Sequence, residues 1–366
     1  MADSSRGIEK LIRSHLANFA GYSASTSPET LAGRIEVPVA SIIKLDANEN
    51  PYGCSPKVVR ALADCSHLNI YPDDGQKELR ALLAGYTGVA DERIVASGGS
   101  NQLIDLIVRL FVEPGDEVID CIPTFDIYRF STEIHGGAII NVPRDDKFAV
   151  DIEAVKAAVS NKTKLIFLAN PNSPTGNIIT QRDILEIVGL GIPVVVDEAY
   201  YEFSGETVVP LVGQHQNLMV LRTFSKWAGL AGLRVGYGIF PPRIADYLMA
   251  IKIPYNVSVA AGIAVRESLA DLDYLQGRVK AIMAERERLF SELKKLPWLQ
   301  PFPSRANFVF CEVLKGSARE LHQKLQNKGI LIRYFDKPLL RNGIRISVGK
   351  PEHTDALMKT LKEAVY

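Results

Sequence analysis

The chain has 366 residues, 47% of them hydrophobic and 23% charged, which is enough to bury two packed cores and is the balance of a soluble globular protein. Its 42 Lys and Arg cancel its 42 Asp and Glu, which argues against a general polyanion binder such as a nucleic-acid protein. No apolar run reaches membrane-spanning length, the charged N-terminus carries no signal-peptide core, and four scattered cysteines and six dispersed histidines make no metal-ligand pattern; a cytoplasmic protein with free thiols, no metal and no membrane contact is expected.

In chain order, a mixed opening segment leads to Asp46-Ala47-Asn48-Glu49-Asn50-Pro51-Tyr52-Gly53, a cluster of turn formers and polar side chains. A short helix is predicted over Pro56 to Ala63, then a turn at Asn69 to Gly75, then a helix with Leu79, Leu82, Leu83 and Tyr86 at helical spacing that Gly88 stops. Arg93 to Ala96 reads as a strand. Ser97-Gly98-Gly99-Ser100 follows and feeds a helix from about Asn101 to Val112 that is apolar almost all round. A glycine-rich turn at a helix N-terminus suits an anion, because free N–H groups and the helix dipole both point at it; a simple tight turn would look the same. Glu117 to Asp120, Lys164 to Leu168 and Ile192 to Asp197 are further strands, separated by helices near 126–134, 152–159 and 181–189. Continuous apolar strands alternating with helices predict an α/β fold whose mostly parallel sheet is sandwiched by helices, with ligands at the carboxyl ends of the strands. After Ile239 the pattern changes. Helices over 241–269 and 271–296 and then a strand–helix–strand–strand–helix unit predict a smaller α+β domain. The expected boundaries are 46–270 for the large domain, with 1–45 and 271–366 forming the small one.

The stretch Thr223-Phe224-Ser225-Lys226-Trp227-Ala228-Gly229-Leu230-Ala231-Gly232-Leu233-Arg234 follows the apolar run Leu218 to Leu221. Lys226 stands between Phe224 and Trp227, and burial there would lower its pKa and make it a nucleophile able to form an imine with an aldehyde. Asp197, the Asn170–Gly176 loop and the Ser97 turn also sit at strand ends, so they converge with Lys226.

Asn48-Glu49-Asn50-Pro51-Tyr52-Gly53, Tyr71-Pro72-Asp73, Gly99-Ser100-Asn101, Pro123-Thr124-Phe125, Asn170-Pro171-Asn172-Ser173-Pro174-Thr175-Gly176, Asp197-Glu198-Ala199-Tyr200, Thr223-Phe224-Ser225-Lys226 and Arg345-Ile346-Ser347-Val348-Gly349 occur in this order over nearly the whole chain. In that order they resemble the fold type I pyridoxal-phosphate aminotransferases and, within them, the histidinol-phosphate aminotransferase family. The resemblance implies pyridoxal 5'-phosphate as cofactor and amine exchange between histidinol phosphate and 2-oxoglutarate in histidine biosynthesis. Threonine-phosphate decarboxylases and aromatic amino-acid aminotransferases share the same machinery, and a non-catalytic cofactor-binding protein would be expected to lose Lys226 or Asp197.

The resemblance also implies roles. Lys226 would carry the cofactor and act as base, Asp197 would pair with the ring nitrogen, and Tyr200 would bond the 3' oxygen. Phe125 would stack on the ring. Gly99, Ser100, Asn101, Thr223, Ser225 and Arg234 would hold the phosphate, and Tyr71 would reach the phosphate bound by a second copy, making a homodimer with shared sites. Relatives often carry Asn where this chain has Ser173, with Asn172 before it; either could bond the 3' oxygen. Arg345 matches the family's substrate-binding arginine. Tyr22, Asn48 and Tyr255 are further pocket candidates, with packing roles equally open to them. Arg333 shares a strand face with Leu331 and Phe335, and the resemblance gives it the substrate's phosphate; ion pairs to Asp336 or Glu312 are the alternative.

Overall fold

The computed structural model describes residues 7–17, 19, 21, 27–340 and 342–363; Tyr22 lies outside them. In chain order the strands among these are β1 (Ile43–Leu45), β2 (Ile94–Ser97), β3 (Glu117–Ile122), β4 (Ala138–Pro143), β5 (Thr163–Ala169), β6 (Val194–Asp197), β7 (Leu218–Thr223), β8 (Gly236–Ile239), β9 (Leu299–Pro301), β10 (Phe308–Val313), β11 (Ile330–Tyr334) and β12 (Gly343–Ser347). They form a seven-stranded sheet in the order β2-β8-β7-β6-β5-β3-β4 and a five-stranded sheet in the order β1-β11-β12-β10-β9.

The large sheet is parallel except for β8, which runs antiparallel to both β2 and β7. Its central strands carry uninterrupted apolar runs, Leu165–Ala169, Val194–Val196 and Leu218–Leu221, because both faces are covered. In β5, Leu165 and Phe167 pack into one core and Ile166 and Leu168 into the other; Val195 opposite Val194 and Val196 in β6, and Met219 opposite Leu218 and Val220 in β7, divide in the same way. The helices Ser100–Phe111 and Pro242–Ile251 cover one face. The helices Gln181–Val188 and Leu272–Leu293 are among those on the other, in a core that continues into the small sheet. Side-chain caps at Asp151, Thr180, Ser258 and Ser317 start four of the helices.

The sequence pattern missed β4, whose residues are half exposed, and β8, whose two glycines hide its alternation. The second omission bears directly on the site. Because β8 is antiparallel, its first residue lies at the edge where its parallel neighbours end: Gly236 is opposite both Ser97 and Thr223. Arg234, two residues earlier, is thereby delivered to the carboxyl edge of the sheet. The loop that carries Lys226 there needs a glycine at 229, where φ is +69° and a Cβ would stand 2.4 Å from the Gly53 carbonyl. In the small sheet β1 pairs parallel to β11, so the chain just before Asp46 is tied to the strand that carries Arg333.

Candidate active site

Where β5, β6 and β7 end, a cavity of about 420 Å³ opens between the two sheets. Asp197, the last residue of β6, is 4% exposed. Its carboxylate accepts from Tyr128 Oη at 2.8 Å and from the Ala199 backbone N–H at 3.0 Å. Burial pushes this carboxyl up to about 6, while those two donors pull the other way. Tyr128 was missed in the sequence. It stands one helical turn after Phe125, fully buried and stacked on Phe167 at 4.6 Å, and a buried phenol in that position needs an acceptor.

Lys226 also lines the cavity, and its Nζ donates to the Ala47 carbonyl at 3.0 Å. Burial brings its amine down to about 8, and Arg345 and Arg234 add repulsion that Glu49 opposes. The flanking Phe224 and Trp227 are buried, which gives the loop its apolar setting. The cavity thus holds one acid and one base, each displaced towards its neutral form by the same desolvation.

Tyr200 faces the cavity and accepts from Asn48 Nδ2 at 2.9 Å. Burial raises its phenol, against the pull of Arg345, Asn48 and Ser173. Asn48 is itself fixed by Ser347, whose Oγ donates to its Oδ1 at 2.8 Å, so the residue orients Tyr200 as well as lining the cavity. Of the two candidates in the 170–176 loop, Ser173 lines the cavity and its Oγ accepts from Arg345 Nη1 at 3.2 Å. Asn172 does not. Its amide is fully buried and committed to Thr124, Arg144, Pro123 and Thr175.

At one end, Ser100 and Asn101 begin the helix that Gly99 precedes, and Thr223 and Ser225 bring hydroxyls 3.0 Å apart. Arg234 closes this corner. Its Nη2 lies 2.8 Å from where a Cβ on Gly99 would be, and the φ of +93° at Gly99 is one that favours glycine. A helix N-terminus, two hydroxyls and a guanidinium form a phosphate cradle. At the other end, Arg333 in β11 is directly opposite Arg345 in β12, and both line the cavity with Phe335. Asp336 pairs with Arg319.

Tyr71 and Tyr255 are not in this cavity. Both project from the surface, 78% and 46% exposed, with rings stacked at 4.6 Å. Tyr255 is held there by a left-handed backbone, φ +58°, and by its N–H donating to Asp74 Oδ1 at 2.9 Å, which is why its ring turns outward.

A family model described as aminotransferase class I and II matches residues 40–365. The chain belongs to the class I and II aminotransferases. It is 54% identical over 356 residues to a histidinol-phosphate aminotransferase of Dehalococcoides mccartyi strain CBDB1, covering 97% of this chain and 98% of the relative. It is 46% identical over 357 residues to the chloroplastic histidinol-phosphate aminotransferase of Nicotiana tabacum, covering 97% and 86%. Among solved structures it matches the Sinorhizobium meliloti histidinol-phosphate aminotransferase in complex with pyridoxal-5'-phosphate, with a TM-score of 0.86, 29% identity and coverage of 94% and 95%. The aminotransferase cofactor is pyridoxal phosphate, and the donor set fits it: a cradle for the phosphate, a carboxylate for the ring nitrogen and an amine for the aldehyde. Among the described residues no cluster could hold a metal ion and no helix is long and apolar enough to cross a membrane.

Replacing Asp197 separates its chemistry from its effect on stability. A carboxyl moved from 3.8 to about 6 keeps a proton on the folded chain that the unfolded chain releases. Its contribution therefore falls as pH rises between those values and stays unfavourable above them. Asp197→Asn should raise the unfolding midpoint of the cofactor-free protein at neutral pH and above, measured by thermal melts. It should also lower turnover on the order of a hundredfold or more, if its charge is the one that faces the ring nitrogen. Near-normal turnover would reduce Asp197 to a structural residue.

Proposed function

We propose that the chain transfers the amine of histidinol phosphate to 2-oxoglutarate in histidine biosynthesis, with pyridoxal phosphate as cofactor. The observation that carries the substrate reading is the register pair Arg333 and Arg345 in a cavity that also holds Lys226 and Asp197. Two adjacent guanidiniums give forked recognition of two oxyanions, which suits a phosphate monoester in one half-reaction and a dicarboxylate in the other. Bound between these groups, pyridoxal phosphate supplies an electron sink for the substrate carbon that bears the amine.

This chain's residues do the rest. Asp197 stays ionised opposite the ring nitrogen, helped by Tyr128 and the Ala199 N–H. Lys226 Nζ, its proton loosened by burial, takes the proton from the amine-bearing carbon and returns it in the reverse direction. Tyr200, oriented by Asn48, holds the ring's 3' oxygen with Ser173 beside it, and Phe125 covers the ring face. Ser100, Asn101, Thr223, Ser225 and Arg234 retain the cofactor phosphate.

The enzyme works as a homodimer in the cytoplasm. Its four cysteines are free, which suits a reducing compartment. The Tyr71–Tyr255 pair lies in a surface region with exposed Leu68, Ile70 and Ile253, an apolar patch of the kind that a second copy covers. Tyr71 then completes the phosphate cradle of the second copy.

Arg333→Gln tests the substrate. A charged hydrogen bond is worth roughly 1.5–3 kcal/mol, so kcat/KM for histidinol phosphate should fall about ten- to a hundredfold, while phenylalanine, which has no phosphate, is spared. Equal losses for the two substrates would remove the phosphate role from Arg333. The shared site has its own test. Inactive Tyr71→Ala and Lys226→Ala proteins, mixed and allowed to exchange subunits, should regain activity, because one site of the hybrid is intact. A fully active monomer in solution would refute the shared site.

A further inference from the structure

The glycine turn of the phosphate cradle is fixed at one end by strand β2 and at the other by the helix Ser100–Phe111. Between them, Gly98 and Gly99 have no side chains to pack, and glycine has the most conformational freedom to lose. Ser97 closes the turn locally. The Gly99 N–H donates to the Ser97 carbonyl at 2.7 Å, and Ser97 Oγ donates to the Gly99 carbonyl at 2.8 Å. The Gly98 peptide is set by Gln102, in the first turn of the helix, whose Oε1 accepts from the Gly98 N–H at 2.8 Å.

Gln102 is held in turn by Asn256, whose Nδ2 donates to Gln102 Oε1 at 2.9 Å and to the Ala96 carbonyl at 3.2 Å. Asn256 Oδ1 accepts from Gln76 Nε2 at 2.9 Å. Gln76, 5% exposed, lies along Ala96 in the edge strand β2. Its Nε2 donates to the Ala96 carbonyl at 2.9 Å and its Oε1 accepts from the Ala96 N–H at 3.0 Å. Backbone groups at both ends fix the order of donors and acceptors. An N–H only donates, so Gln102 turns its oxygen to Gly98 and Gln76 turns its oxygen to Ala96. Asn256 then fits between them one way round, with Nδ2 on Gln102 and Oδ1 on Gln76. The segment before Asn256 is pinned as well: Asp74 Oδ1 accepts from Lys252 Nζ at 2.6 Å and from the Tyr255 N–H at 2.9 Å. None of the three amides lines the cavity.

We propose that Asn256 and Gln102 are positioning residues for the cofactor phosphate. The inference rests on the reading that Ser100, Asn101 and Arg234 hold that phosphate. With the relay in place, the Gly98 N–H is spent on Gln102 and the Gly99 N–H on Ser97. The N–H groups of Ser100 and Asn101, which a helix start cannot use itself, are left for the anion. Without the relay the Gly98 peptide is free to rotate out of that arrangement. Phosphate binding then weakens, while Lys226 and Asp197, on other strands, keep their places.

The test compares pyridoxal phosphate with pyridoxal, which has the same ring and aldehyde but no phosphate. Each is titrated into the full chain freed of cofactor, and binding is read from the absorbance of the imine. Asn256→Leu and Gln102→Met keep the size of the side chain and lose its amide. Thermal melts show which variants are folded, and one folded variant is enough for the test. Binding of pyridoxal phosphate should weaken about tenfold, and binding of pyridoxal should not change. Equal weakening for both ligands would make the relay a general support of the fold and overturn the inference. Unchanged binding of pyridoxal phosphate in a folded variant would overturn it too. A different failure is also distinguishable: an unsubstituted chain that binds pyridoxal phosphate no tighter than pyridoxal would remove the phosphate cradle itself, and the inference with it.

Discussion

A carboxylate that must stay charged inside a dry cavity is the constraint on which the rest of the site depends. Asp197 ends a strand buried on both faces, where desolvation alone would neutralise it. Tyr128 and the Ala199 N–H offset part of that cost, and in the proposed function the cofactor's ring nitrogen would offset more. The same dryness unloads Lys226, so a single physical cause prepares both the acid and the base. Glu198, the next residue, is buried and closes an ion pair with Arg222, and its charge adds to the upward push that burial exerts on Asp197.

Sheet topology turns sequence-distant residues into one site. Parallel strands β5, β6 and β7 deliver the Asn170 loop, Asp197 and the Lys226 loop to one edge, and antiparallel β8 returns Arg234 to the same edge. The small sheet contributes the opposite wall. β11 and β12 bring Arg333 and Arg345 face to face, and Arg345 Nη2 donates to the Asp46 carbonyl at 2.6 Å, joining that wall to the loop that holds Asn48. In the proposed function, substrate recognition and cofactor chemistry would therefore sit on different sheets, joined by short polar bridges such as Asn48–Ser347.

The parts of the fold that rest on burial were legible in the sequence. Uninterrupted apolar strands with turns and polar residues at their ends mark the doubly covered sheet, and the lysine between aromatic residues marks the site. Where the signal was weak, the cause is physical. Strand β8 has Gly236 and Gly238 where alternation would show, and its direction cannot be read from composition. Tyr128 sits within a helix and reads as core, because its phenol needs a partner only the fold supplies. Asn172 and Ser173 are adjacent and both polar; only the loop's path shows that one is committed inside and the other faces the cavity. Tyr255 was open to a pocket or a packing role, and its left-handed backbone carries the ring to the surface beside Tyr71.

The central claim is that Lys226 is the residue bonded to the cofactor. Reduction of the holoenzyme with borohydride, followed by proteolysis and peptide mapping by mass spectrometry, tests it directly. A pyridoxyl group on the peptide containing Ser225-Lys226-Trp227, in close to one copy per chain, is the predicted result. A label on any other lysine, or none, would contradict the account.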